Sequence, residues 1–175
     1  MNIWHDINKK RITPSLFTAC IEISKGSKKK YELDKETGLI MLDRVLYTST
    51  HYPANYGFIP LTYASDFDPL DVLVLCSEDL EPLSLVDSKP IGIISMIDSD
   101  QVDEKIIAVA VGDPSLSHYE EIEDLPKHLL DEMHHFFEVY KTLESKETYV
   151  LDIGNREKAM DTIEQALKRY EKEFK

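Results

Sequence analysis

The sequence predicts a mainly β member of the α+β class: a small closed or partly closed sheet, with helices from the C-terminal part of the chain packed outside it. Two observations carry this. Short runs rich in Val, Ile and Leu recur through the first two thirds, with no helix-length apolar pattern among them. Helical spacing then sets in after Asp124 and returns near the C-terminus. The length of 175 residues and a 42% hydrophobic content suit a single domain spanning 1–175.

The elements follow in order. Leu16–Ser24 alternates, with Phe17, Ala19, Ile21 and Ile23 on one face and Cys20 and Glu22 on the other, which predicts a half-buried strand with Glu22 turned away from the apolar side. Lys30 to Asp34, the turn residues Asp34–Gly38 and Leu39 to Leu42 read as a hairpin, with Lys30 and Glu32 sharing a face. Val72–Cys76, Ile91–Ile97, Ile106–Val111 and Thr148–Ile153 predict further strands. Asp124 is placed to cap a helix with Pro126 in its first turn, followed by Leu129, Leu130, Met133, Phe136, Phe137, Tyr140 and Leu143. Met160, Ile163, Ala166, Leu167, Tyr170 and Phe174 form the apolar stripe of a second helix.

Charge and composition exclude several functions. The net charge of −13 opposes binding to nucleic acid or to an anionic membrane. A polyanionic substrate therefore requires metal ions or a local cationic pocket. The start, MNIWHDINKKR, lacks the apolar stretch of a signal peptide, and no later run reaches the length of a membrane span, so a cytoplasmic protein is expected. Cys20 and Cys76 lie in strand-like runs and read as reduced, buried thiols. The histidines are scattered, His134 and His135 cannot share a helix face, and HExxH, GxSxG, P-loop and GxGxxG patterns are absent. Carboxylate and metal chemistry remains.

The densest chemical feature is Asp66-Phe67-Asp68-Pro69-Leu70-Asp71, three carboxylates before an apolar strand. Such a loop repels itself unless a cation binds, and its oxygen donors suit Mg²⁺ or Mn²⁺. Taken alone, the commoner reading is a solvated acidic turn. Asp98 through Lys105, with Asp103 inside it, reads alone as a charged hairpin loop, and neither segment has EF-hand spacing. Tyr52-Pro53-Ala54-Asn55-Tyr56-Gly57 reads alone as a packed aromatic turn. Beside the acidic loop its phenols could donate to phosphate oxygens, with Lys30, Arg44, Lys105 and Lys141 supplying positive charge.

These segments together resemble the soluble family I inorganic pyrophosphatases. The likeness runs from about Ile21 to Leu143 through Ile21-Glu22-Ile23, Lys30-Tyr31-Glu32, Asp43-Arg44, Tyr52 to Gly57, Asp66 to Val74, Asp98 to Lys105 and Phe136 to Lys141. The resemblance implies an OB-like five-stranded β-barrel flanked by C-terminal α-helices, and hydrolysis of pyrophosphate to two phosphates by in-line attack of a water bridged between two metals about 3.5–4 Å apart. It further implies Asp66, Asp71 and Asp103 as ligands of one metal, Asp71 as a ligand of its neighbour, Asp98 with Asp103 as holders of a third, and Glu32 as helping to retain a further ion. Asp68 would be the general base. Lys30, Arg44, Tyr56, Lys105, Tyr140 and Lys141 would form the phosphate clamp, with Tyr52 lining the cavity and Glu22 as a further acidic residue of it. Several Mg²⁺ ions are the implied cofactor, Mn²⁺ or Zn²⁺ the substitutes, and a homo-oligomer, commonly a hexamer, the implied assembly.

Ser99 and Gln101 depart from the Glu and Gly usual in that family, and Phe67 from its Gly, which predicts altered metal affinity. A noncatalytic binding module on an OB-like barrel is the alternative from another class, set against the acidic charge. A metal-dependent phosphohydrolase acting on a nucleotide or monoester is a second alternative, for which the sequence offers no base or sugar pocket.

Overall fold

The computed structural model describes residues 1–175. Eight strands form, β1 (Phe17–Ile23), β2 (Lys29–Leu33), β3 (Ile40–Val45), β4 (Asn55–Ile59), β5 (Leu70–Leu75), β6 (Leu85–Asp98), β7 (Gln101–Ala110) and β8 (Thr148–Asn155). Three α-helices accompany them, α1 (Ile3–Asp6), α2 (Lys127–Val139) and α3 (Arg156–Phe174). Five strands pair in the order β1-β4-β5-β7-β6, and β6 pairs back to β1, so the sheet closes into a ring. Only β5 and β7 run parallel, and β8 extends the sheet from β6. The expected mainly β, OB-like ring with C-terminal helices is present. No helix is long and apolar enough to cross a membrane.

Closure explains why the ring strands read as continuous apolar runs. On β5 and β7, Val72, Val74, Ile106 and Ala108 join a core that includes Phe17, Trp4 and the α3 residues Ala159, Ile163 and Ala166. Their neighbours Leu73, Leu75, Ile107 and Val109 join a second core with Phe136 and Phe137 of α2. Both faces of these strands are buried, so alternation vanishes. The same closure corrects the expectation for β1, all seven residues of which are buried, Glu22 among them.

Two segments expected as loops are strands. The Tyr-Pro-Ala-Asn-Tyr-Gly segment runs into β4, where buried Asn55 donates to the carbonyls of Val74 and Glu78 and accepts from the backbone N–H groups of Lys25 and Leu80. This one side chain stitches three chain segments, a structural role its polar character concealed. Gly57 follows from the same strand pairing, since a Cβ there would stand 1.9 Å from the Cys20 carbonyl oxygen across β1 and β4. The second segment is Asp98 to Lys105, which continues β6 and β7 around a two-residue turn at Ser99 and Asp100. Both turn residues have positive φ, 51° and 64°, matching the right-handed twist of the hairpin.

Helix α2 starts one residue after Pro126, while Asp124 serves the preceding 3₁₀ turn (Ile122–Asp124), accepting from the N–H groups of Glu120 and Glu121. The helix ends before Leu143, which is exposed. Cys20 and Cys76 are free thiols, the first buried.

Candidate active site

A cavity of about 530 Å³ opens at one end of the ring, between the β2–β3 hairpin, the acidic loop before β5, the β6–β7 turn and the C-terminal end of α2. Strand pairing sets which groups meet there. Asp71 of β5 lies beside Lys105 of β7 in parallel register, and the two-residue periodicity of β7 puts Asp103 on the same face as Lys105. Tyr56 arrives from β4, two strands away, and Tyr140 and Lys141 arrive at the end of α2.

Lys105 is the electrostatic centre. Its side chain is 3% exposed, and the ammonium donates to Asp71 Oδ2 at 2.9 Å, Asp103 Oδ2 at 3.0 Å and Tyr56 Oη at 2.8 Å. It also faces the rings of Tyr56 and Phe137, with centroids at 5.3 and 5.4 Å. Burial opposes the lysine charge, but Asp103 and Asp71 outweigh it and hold the pKa well above the ordinary value. Lys141 pairs with Asp98, and Lys30 lies 3.1 Å from Glu32 and 3.3 Å from Asp43.

The carboxylates outnumber these cations, and their proton affinities record the crowding. Burial, then repulsion from Asp71 and Asp103, pushes Asp66 up to about 6. Burial likewise raises Asp103, against the pull of Lys105. Glu22 is pushed up to about 8, by burial and then by Asp71, although it accepts a 2.6 Å hydrogen bond from the Leu33 N–H. Asp98 moves down despite burial, because Lys141 donates to it. Burial raises Tyr52, Tyr56 and Tyr140 as well, so all three remain protonated donors at neutral pH.

Of the side chains singled out in the sequence, Glu22, Lys30, Glu32, Tyr52, Tyr56, Asp66, Asp68, Asp71, Asp98, Asp103, Lys105, Tyr140 and Lys141 line this cavity. Arg44 does not. Its guanidinium is drawn to Asp43 and to Glu144, with Nε 2.7 Å from Glu144 Oε1 but not aligned as a hydrogen bond, and its buried Nη2 has no partner. Lys35, which sequence reasoning passed over, also lines the cavity and pairs with Asp68. It sits in the hairpin turn, where a lysine ordinarily means a solvated surface.

The donor chemistry fits hard divalent cations: the acidic side chains present only oxygen, and carboxylates raised by burial and by one another's charge would be eased by a cation. No three acidic, His or Cys side chains stand close enough together to grip one ion at once, because Lys105 lies between Asp71 and Asp103. The fit therefore rests on donor type and on charge, and an ion would draw these side chains in.

A family model described as inorganic pyrophosphatase matches residues 19–171. The chain is 47% identical over 167 residues to soluble inorganic pyrophosphatase 1 of Arabidopsis thaliana, covering 95% of this chain and 79% of that one. Among solved structures, an inorganic pyrophosphatase from Thermus thermophilus superposes with a TM-score of 0.94 at 37% identity, over 98% of this chain and 99% of that one. One from Helicobacter pylori superposes with a TM-score of 0.90 at 44% identity, over 95% and 99%.

Proposed function

The chain belongs to the inorganic pyrophosphatase family and is a metal-dependent enzyme that hydrolyses pyrophosphate to two phosphates, and on that premise we propose how its own residues divide the work. Asp66, Asp71 and Asp103 hold one divalent cation, Asp71 reaches a neighbouring one, Asp98 with Asp103 holds a third, and Glu32 helps retain a further ion. Mg²⁺ is the preferred ion, with Mn²⁺ or Zn²⁺ as substitutes, since the ligand set is all oxygen. The ions supply Lewis acidity toward water and toward the phosphoryl oxygens.

The observation that carries this reading is the buried Lys105, which joins Asp71, Asp103 and Tyr56 in one cavity. Lys105, Lys30, Lys141 and the phenols of Tyr56 and Tyr140 bind phosphoryl oxygens, and the phenols do so without adding charge. Tyr52 walls the cavity. Arg44 belongs to the same set and has a buried N–H group to offer, which requires its guanidinium to swing from Glu144 toward the substrate. Asp68 accepts a proton from the attacking water as the new P–O bond forms. The bond from phosphorus to the bridging oxygen breaks, and that oxygen leaves with its electron pair on the second phosphate.

The test is turnover of Asp68→Asn on pyrophosphate, with Mg²⁺ binding followed separately. The expected loss is a factor on the order of 10²–10⁴ in kcat, with metal binding retained. Near-wild-type turnover removes Asp68 from the role. The chain is proposed to act as one domain in the cytoplasm within a homo-oligomer, a hexamer by family likeness, which sedimentation equilibrium would decide.

A further inference from the structure

The N-terminal residues do more than cover the ring. The Asn2 side chain donates to the Lys35 carbonyl at 2.8 Å, and a Cβ on Gly38, at the far side of the same turn, would stand 2.6 Å from the Met1 carbonyl oxygen. The hairpin turn is thus seated on the first residues of the chain. Asn2 also caps α1 by accepting from the Trp4 N–H at 3.0 Å. Trp4 is buried, with Phe174 at 5.3 Å and Tyr63 at 6.3 Å between ring centroids, and the Lys35 ammonium lies 5.6 Å from its ring.

Trp4 reaches the acidic loop from the other side. Its indole N–H donates to the Thr62 carbonyl at 2.8 Å, and the Thr62 hydroxyl accepts from the Leu70 N–H at 2.9 Å, immediately after the loop. Within the loop, the Asp68 carbonyl accepts from the Ala64 N–H at 2.7 Å. One short N-terminal segment therefore braces both the turn that carries Lys35 and the loop that carries Asp68, and the two side chains form an ion pair between them.

We propose that Lys35, aimed by Asn2 and Trp4, is a positioning residue for the hydrolysis: it holds the Asp68 carboxylate in the orientation from which it meets the attacking water. The inference rests on the reading of Asp68 as proton acceptor. Three other cavity lysines are each engaged by carboxylates assigned to the metals or to their neighbours, and only Lys35 attends Asp68. The ion pair is about half exposed, so its effect is modest, and it acts by geometry: a small displacement of a proton acceptor is felt directly in turnover.

Steady-state kinetics at saturating Mg²⁺ test this with Lys35→Met, Lys35→Arg and Asn2→Ala, each also placed in the Asp68→Asn background. Lys35→Met is expected to lower kcat about fivefold with KM within about twofold, and Lys35→Arg to recover most of the loss. Asn2→Ala, which leaves the buried core intact, is expected to lower kcat about twofold only while Lys35 is present. In the Asp68→Asn background none of the three should lower kcat further. A raised KM with unchanged kcat would make Lys35 a substrate ligand and overturn the proposal, as would an equal loss in both backgrounds. Unaffected Asn2→Ala would remove the N-terminal brace. A slow Asp68→Asn beside a wild-type Lys35→Met would sink Lys35 alone, whereas a fast Asp68→Asn would take the base assignment with it.

Discussion

Glu22→Gln should change how the stability of the metal-free protein depends on pH, with little change in shape. Glu22 is 7% exposed, and burial together with Asp71 moves its pKa from 4.5 to about 8. Between those two values the native chain binds a proton that the unfolded chain has released. Stability is therefore fully present below about pH 4.5 and falls as pH rises toward 8. At about 1.36 kcal/mol per pH unit, the linkage over that window is of the order of 5 kcal/mol. Glutamine stands in for the protonated acid, and its amide oxygen can still accept from the Leu33 N–H. The substitution should leave stability near pH 5 within about 1 kcal/mol and make the variant the more stable protein by several kcal/mol at pH 8. Urea unfolding in chelator at both pH values measures this, with an unchanged denaturant slope as the check on two-state behaviour. Asp66 and Asp103, also raised, add slope of the same sign to both proteins and cancel in the comparison. Parallel stability curves for wild type and variant would refute the assignment of a buried, proton-holding Glu22.

Lys105→Met leaves Asp71 and Asp103 facing each other without their buried cation. It should cost about 3–5 kcal/mol of metal-free stability, partly restored by Mg²⁺ in a thermal melt, and no loss would mean that the lysine is not buried in solution. Since Asp66 holds its proton up to about pH 6, Mg²⁺ should raise the melting temperature more at pH 8 than at pH 5, and an equal rise at both would exclude Asp66 as a ligand. Asp100→Gly relieves a positive φ in the β6–β7 turn and should stabilise the protein by about 1 kcal/mol in urea unfolding, a gain that a strain-free turn would not give. Phe67 has φ 69° and an exposed ring, so Phe67→Gly should likewise stabilise the loop while shifting the Mg²⁺ dependence of activity, and superimposable titrations would show that the loop tolerates the side chain.

The sequence announced the acidic residues of this site far better than the strands that deliver them. Asp66, Asp68 and Asp71 stood out as a dense acidic run even though that run alone reads as a solvated turn, and the spacing of Phe136 and Phe137 marked the helix whose end brings Tyr140 and Lys141 to the cavity. β4 and the start of β7 escaped notice because a ring with both faces covered, and with charged groups at its end, shows no alternation. Asp103 and Lys105 looked like loop residues for the same reason, although the function assigned to them needs a strand: only fixed two-residue spacing and parallel register with Asp71 bring the ammonium to both carboxylates.

Lys35 and Arg44 mark the limit of local reading in opposite directions. Arg44 was legible as a cation beside Asp43, but its orientation is decided by Glu144, a hundred residues on. Lys35 had no signal at all, since its partners come from two distant parts of the chain, Asn2 and Trp4 at the N-terminus and Asp68 in the acidic loop. Eight carboxylates and four lysines line this cavity, an excess of negative charge that a divalent cation would balance. Of those four lysines, the one that pairs with Asp68 is Lys35, and it does so from a turn seated on the N-terminal residues.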